Sequence, residues 1–260
     1  MRVLGQPAIV LHATRWRESS LLLELFTHEH GRIGAVARGV QGPKRQPLRA
    51  ALQPLQRIRV DYVQRGELAQ LRHAEASGHA PALAGDALLA GFYLSELAWR
   101  LLPRNDAHPQ LFLRFANALD ELADTPSLAW TLRRFERDLL DALGYAIDLR
   151  HDADAAPLDA SGRYRIDPEH GAYRVRDSAE RSGTIGGAAL LALAEDAIAS
   201  EAQLREQRIA LRMLIAHHLG SRGLRSWGLL AEFARLRSDA TPPGNSGDPD
   251  PAPADDQGRD

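Results

Sequence analysis

Five cations, Arg32, Arg38, Lys44, Arg45 and Arg49, fall within 18 positions, interleaved with Gly39, Gly42, Pro43 and Pro47. Forked guanidinium donors on an adjustable loop can follow irregularly spaced phosphates, so this segment offers grip on a polyanion, not bond-making. Trp16, between Arg15 and Arg17, adds a face on which a base can stack; Phe26 and Tyr62 are the other aromatics before residue 92. Both features have plainer uses, as a solvated basic loop and as a cap on a core. Charge distribution weighs for the polyanion. Residues 1–80 hold twelve Lys and Arg against six Asp and Glu, a net of +6, while the remaining 180 residues carry −8.

A second cationic group, Arg133, Arg134 and Arg137, lies opposite the stripe Leu132, Phe135 and Leu139 at helical spacing. From spacing alone it is a solvated helix face; its sharper use is to hold carboxylates of an acidic peptide beside apolar surface. The ten histidines include His28 with His30, the adjacent His217 and His218, and His151 near Asp152 and Asp154. None forms an i, i+4 pair with a further ligand, and there are no cysteines, so no metal and no cofactor are expected. The chain has no GxxxxGK[ST], GxSxG or HExxH, and a non-enzymatic role is the expectation. A nuclease built on an unrecognised carboxylate cluster is the contrary reading.

The elements that must position these residues change character near Pro81. Before it come short apolar runs at 8–11 and 20–27, a turn at His28–Gly31 with a return arm at 32–37, a polar loop from Gly39 to Arg49, and runs at 55–63 and 68–77. Ile58, Val60 and Tyr62 alternate with Arg57, Arg59 and Asp61, the period of a half-buried strand. Five short, mostly meander-connected strands fit a small closed barrel of OB or SH3-like type. Beyond Pro81, periodicity predicts a central buried helix over 83–102, amphipathic helices through Leu111–Leu122 and Leu128–Ala142 with Gly144 as a stop, and further helices at 188–199, 204–219 and 229–236. Residues 145–185 are poor in apolar periodicity and read as a loop with a small hairpin at 164–166 and 173–175. Gly183–Gly187 is read as relaxing the chain before a helix. From Ser238 the chain is rich in Pro, Gly and Asp, and 238–260 is expected to be a disordered acidic tail. No apolar run of membrane-spanning length and no signal-peptide pattern occurs, so a cytoplasmic protein is expected.

Several blocks in order resemble the RecO family of DNA repair and recombination proteins. They are Val10-Leu11-His12, Arg17-Glu18-Ser19-Ser20-Leu21-Leu22, Phe26-Thr27, Gly31-Arg32, Ala37-Arg38-Gly39-Val40, Leu52-Gln53-Pro54, Tyr93-Leu94-Ser95-Glu96-Leu97, and Leu132-Arg133-Arg134-Phe135-Glu136 followed by Leu143-Gly144-Tyr145. The resemblance implies an α+β chain: a five-stranded OB-fold barrel over 1–80, a mostly α-helical domain over 81–237 and the tail. It implies a nucleoid-associated mediator that binds single- and double-stranded DNA, anneals complementary strands and, with RecR, helps load RecA onto DNA coated with single-strand binding protein. DNA contacts fall to Arg32, Arg38, Lys44, Arg45, Arg49 and Trp16. The acidic, Phe-terminated tail of single-strand binding protein falls to Arg133 first, then Arg134, with Phe92 in the apolar slot. Many members carry a four-cysteine zinc module after the Leu-Gly-Tyr block; this chain keeps its place at 145–185 without the ligands. An OB-fold RNA-binding or ribosome-associated factor is the alternative.

Overall fold

The computed structural model describes residues 1–78, 81–177 and 182–228. The helix expected over 229–236 and the tail expected over 238–260 lie outside the described residues. Strand β1 (Arg2–Trp16) is long enough to serve two neighbours, pairing through Arg2–Ile9 with β4 (Arg57–Gln64) and through Ala8–Trp16 with β2 (Ser20–Thr27). Its register shifts between Val3 and Gln6 and between Val10 and His12, and Gly5 sits at φ +61° in the first irregularity. Such bulges bend a strand, which lets β1 wrap the barrel and close it.

The remaining strands are β3 (Gly31–Ala37) and β5 (Leu68–Ala76), and the barrel order is β1-β2-β3-β5-β4, closing onto β1. The expected meander is therefore broken: β5 lies parallel to β3 and separates it from β4. This crossing is the Greek-key arrangement of the OB-fold and sets the SH3-like alternative aside. Ile58, Val60 and Tyr62 are buried inside as their alternation predicts. The segment expected as a loop from Gly39 to Arg49 is instead a 3-10 turn (Pro43–Arg45) running into α1 (Gln46–Ala51). Each proline stands in the first turn of its helix, where a missing N–H costs nothing, so here proline starts helices.

The helical layer comprises α2 (Gly85–Leu101), α3 (Pro109–Asp124), α4 (Leu128–Ala142), α5 (Gly187–Ala194) and α6 (Glu201–Leu219). Gly144, at φ +72°, ends α4 as expected. The outer wall of the barrel is packed against this layer: Ile9, Leu11, Phe26 and Leu55 belong to the helical core, with Phe26 edge-on to Phe112. Polar contacts lock the same seam. Glu24, buried, takes Arg32 at 2.8 Å and Arg104 at 2.5 Å, Arg32 also donates to the Leu102 carbonyl, and Arg57 donates to the Ala116 carbonyl.

Gly31 is the tightest point of the seam. A Cβ there would sit 1.7 Å from the Asp106 carbonyl oxygen, and its φ of +63° already disfavours a side chain. Gly31→Ala is expected to destabilise the fold by well over about 1 kcal/mol, because backbone must move. A urea midpoint equal to that of the wild type would show the seam to be soft.

Within 145–185, the described residues 145–177 and 182–185 are more ordered than their composition suggests. Strands β6 (Arg163–Asp167), β7 (Gly171–Val175) and β8 (Ile185–Gly186) form a sheet of order β7-β6-β8, whose Tyr164, Ile166, Ala172 and Ile185 enter the helical core. Gly186 and Gly187 therefore end a short strand and start α5, and Gly187 passes so close to the Asp159 carbonyl that a Cβ would lie 2.0 Å from it. Carboxylates hold the turns of this region. Asp148 accepts from the Arg150 and His151 amides and from His151 Nδ1, while Asp167 does the same for Glu169 and His170. These backbone donors, foremost the Arg150 and the Glu169 amide, hold both carboxyls below the usual range. No helix among the described residues is long and apolar enough to cross a membrane.

Candidate nucleic-acid interface

The barrel's order decides which cations meet. The parallel register between β3 and β5 ends with Val36 opposite Gln70, which brings Arg38, just past the end of β3, beside Arg72 within β5. The 3-10 turn and α1 fold back over this end, and together they enclose a groove of about 320 Å³ lined by Arg38, Lys44, Arg45, Arg72 and His73 above Leu48 and Leu71. No carboxylate lines it among the described residues. Glu75, 3.6 Å from His73, is the nearest acidic partner of any of these cations. Four permanent charges with no ion-pair partner among the described residues, in one concave surface, concentrate positive potential and attract a phosphate chain.

Of the residues expected at the site, Arg38, Lys44 and Arg45 come together here. Arg72 and His73 join them, unseen in the sequence because they stand on a distant strand; the register of β5 against β3 was the signal. Arg49 is outside the lining: it donates to the Gly42 carbonyl at 3.5 Å and so braces the turn that carries Lys44 and Arg45. Arg32 is a correction. Its guanidinium is engaged by Glu24 and the Leu102 carbonyl within the seam, so it joins barrel to helices and is largely withdrawn from solvent. Trp16 is 43 % exposed at the end of β1, on the outer face shared with His12 and Thr14, and does not line the groove.

The arginine face of α4 is also corrected. Arg133 is only 5 % exposed and is paired with Glu136 at 2.6 Å, which in turn accepts a 2.6 Å hydrogen bond from Tyr93. The helix is buried on this side as well because α2 and α6 pack against it, so spacing opposite the apolar stripe does not mean solvent. Arg134 and Arg137 share Asp196, and Arg134 also meets Glu121. Phe92, by contrast, does stand out from α2, 43 % exposed.

A second cavity of about 300 Å³ lies between the segment that follows α4, the β6–β7 turn and the end of α6, with Tyr145, Asp148, His151, Asp152, Glu169, His170 and His218 among its lining. Among the described residues no three His, Asp or Glu side chains are placed to hold a metal ion.

The chain matches the family described as Recombination protein O N terminal over residues 1–79 and that described as Recombination protein O C terminal over residues 83–228. It is 54 % identical over 240 residues to the DNA repair protein RecO of Xanthomonas euvesicatoria pv. vesicatoria strain 85-10, covering 91 % of this chain and 100 % of the relative. To the DNA repair protein RecO of Stenotrophomonas maltophilia strain K279a it is 51 % identical over 239 residues, again covering 91 % and 100 %.

Proposed function

Because the chain belongs to the recombination protein O family of DNA repair proteins, we propose that it acts without catalysis as a mediator that binds single- and double-stranded DNA and anneals complementary strands. The observation that carries this reading is the carboxylate-free groove of Arg38, Lys44, Arg45 and Arg72 on the OB barrel. Arg38, Lys44, Arg45 and Arg72, without ion-pair partners among the described residues, in a concavity with an apolar floor and no Phe, Tyr or Trp, suit a sugar–phosphate chain irrespective of base sequence.

The mediator reading extends to partners. RecR is taken to join the protein on DNA coated with single-strand binding protein, and RecA to be loaded as the outcome. The acidic tail of single-strand binding protein is assigned to the helical layer, where Phe92 and Arg134 are the candidate residues that reach the surface. Arg133 is not among them.

Strand annealing tests the proposal. Complementary oligonucleotides, bare and coated with single-strand binding protein, are expected to pair faster with the protein present, and to remain intact in Mg²⁺ or Mn²⁺. Cleaved strands would replace the mediator reading with a nuclease. An RNA oligonucleotide that displaces DNA at equal concentration would replace it with the RNA-binding alternative.

A further inference from the structure

Many arginines of the described fold meet a carboxylate: Arg57 meets Asp120, Arg104 meets Glu24, Arg137 meets Asp196 and Arg163 meets Glu206. The barrel groove is different. Arg38, Lys44, Arg45 and Arg72 are all exposed there, with no ion-pair partner among the described residues. Crowded like charges repel one another, so the empty groove favours any carboxylate that can reach it. Lys44 is also the only lysine in the chain.

Negative charge is concentrated at the other end of the sequence. Residues 238–260 hold Asp239, Asp248, Asp250, Asp255, Asp256 and Asp260 against one cation, Arg259, so they carry −5 while residues 1–237 carry +3. The segment has no apolar residue larger than Pro and brings almost nothing with which to bury apolar surface. Its chemistry is a series of carboxylates spaced along a main chain, as phosphates are spaced along a nucleic-acid strand.

Length permits the two to meet. Asp248 and Asp260 stand 20 and 32 residues beyond Gly228, the last described residue. At about 3.3 Å per residue that is up to about 65 and 105 Å of chain, against a diameter of about 45 Å for a fold of this size. Charge then decides the surface. Arg208 and Arg212 of α6 are exposed too, but they stand on a convex helix face and Arg212 is laid over Trp227. The groove sets four charges around one concavity.

We propose that the acidic segment 238–260 of this chain occupies the barrel groove in the absence of DNA, its aspartates against Arg38, Lys44, Arg45 and Arg72, and that a nucleic-acid strand displaces it. The proposal rests on the reading of the groove as the phosphate site and adds its regulation. Tethering raises the local concentration of the segment to the order of millimolar, enough to hold a contact that separate molecules would not keep. DNA, with a charge on every nucleotide, outcompetes the sparser carboxylates. A groove already neutralised by carboxylates also gains less from counterion release, so the segment flattens the salt slope of DNA binding as well as lowering affinity.

The single lysine makes the contact directly testable. A carbodiimide joins carboxylates to amines, and the only amines here are Lys44 and the amino terminus. At low salt the full chain is expected to form an amide between Lys44 and an aspartate of 238–260, read by mass spectrometry of the digest, at a rate independent of protein dilution and suppressed by oligothymidine. The full-length variant Asp248→Asn, Asp250→Asn, Asp255→Asn and Asp256→Asn is expected to lose the cross-link. It should bind oligothymidine about fivefold more tightly at 50 mM salt, with a steeper salt slope, the gain shrinking as salt rises. Wild-type affinity and slope in this variant would overturn the proposal and leave the groove standing. Tighter DNA binding without a Lys44 cross-link in the wild type would move the segment to another basic surface, and a cross-link only between copies would give the groove to a second chain; either overturns it. A Lys44 cross-link that oligothymidine does not suppress would instead remove DNA from the groove.

Discussion

Arg38→Glu combined with Arg45→Glu is expected to lower the affinity of the groove for a DNA oligonucleotide by about two orders of magnitude at 50 mM salt. Each phosphate neutralised contributes about −0.9 to the slope of log K against log salt on a duplex, so two lost contacts flatten that slope by about 1.8. Extrapolated to 50 mM, that slope difference corresponds to a roughly hundredfold loss. Both side chains line the groove and are exposed on secondary structure whose core lies elsewhere, so the melting temperature should stay near that of the wild type. Arg72→Glu should behave like either single change, since Arg72 lines the same wall from β5. Arg32→Glu should not. It would put a second carboxylate against buried Glu24 and open the seam, so its loss of binding would come with loss of stability. Titrations at several salt concentrations, run beside thermal melts, separate these cases. An unchanged salt slope in the Arg38, Arg45 double variant would take the phosphate chain out of the groove.

The contrast between Arg38 and Arg32 marks where the sequence stops being readable. Period-two alternation placed β4 correctly because Ile58, Val60 and Tyr62 answer only to inside and outside. The same alternation says nothing about which strands are neighbours. The parallel contact of β3 with β5 joins residues 34 positions apart, and it alone brings Arg72 to Arg38. Charge misleads for a related reason. Arg32 and Arg133 look like surface cations until their partners are known. Their carboxylate partners are near in sequence, and what buries the pairs lies on separate elements: Arg104 and the Leu102 carbonyl meet Glu24 and Arg32 from beyond α2, and Tyr93 meets Glu136 across the helical core. Local signals were read with the wrong sign at Pro43 and Pro47, which begin helices where a loop was expected. In the described residues of 145–185, part of the ordering comes from carboxylate-to-amide contacts within turns, which carry no apolar period at all.

Arg133→Ala is expected to cost about 3–5 kcal/mol, the loss that follows when one member of a buried ion pair is removed and the other stays. Glu136 is 1 % exposed and would retain only the Tyr93 hydroxyl, and its second oxygen already lacks a hydrogen-bond partner among the described residues. Against a typical total stability of about 5–15 kcal/mol this is a severe change. Its pH dependence identifies the cause. Burial already pushes the Glu136 carboxyl above the usual range while Arg133 pulls it down, so deleting Arg133 raises it further. A carboxyl with a raised folded-state value binds its proton more tightly when folded. The stability it contributes is therefore present below its unfolded value, about 4.3, and is lost as pH climbs toward the folded value. The gap between Arg133→Ala and the wild type should thus be small near pH 4.5 and widen toward pH 8. Replacing the pair together, Arg133→Met with Glu136→Leu, removes both buried charges and should recover most of the loss. Urea midpoints at a series of pH values read all three proteins. If Arg133→Ala kept wild-type stability at every pH yet lost an acidic peptide, the arginine would be a docking group in solution and not a core ion.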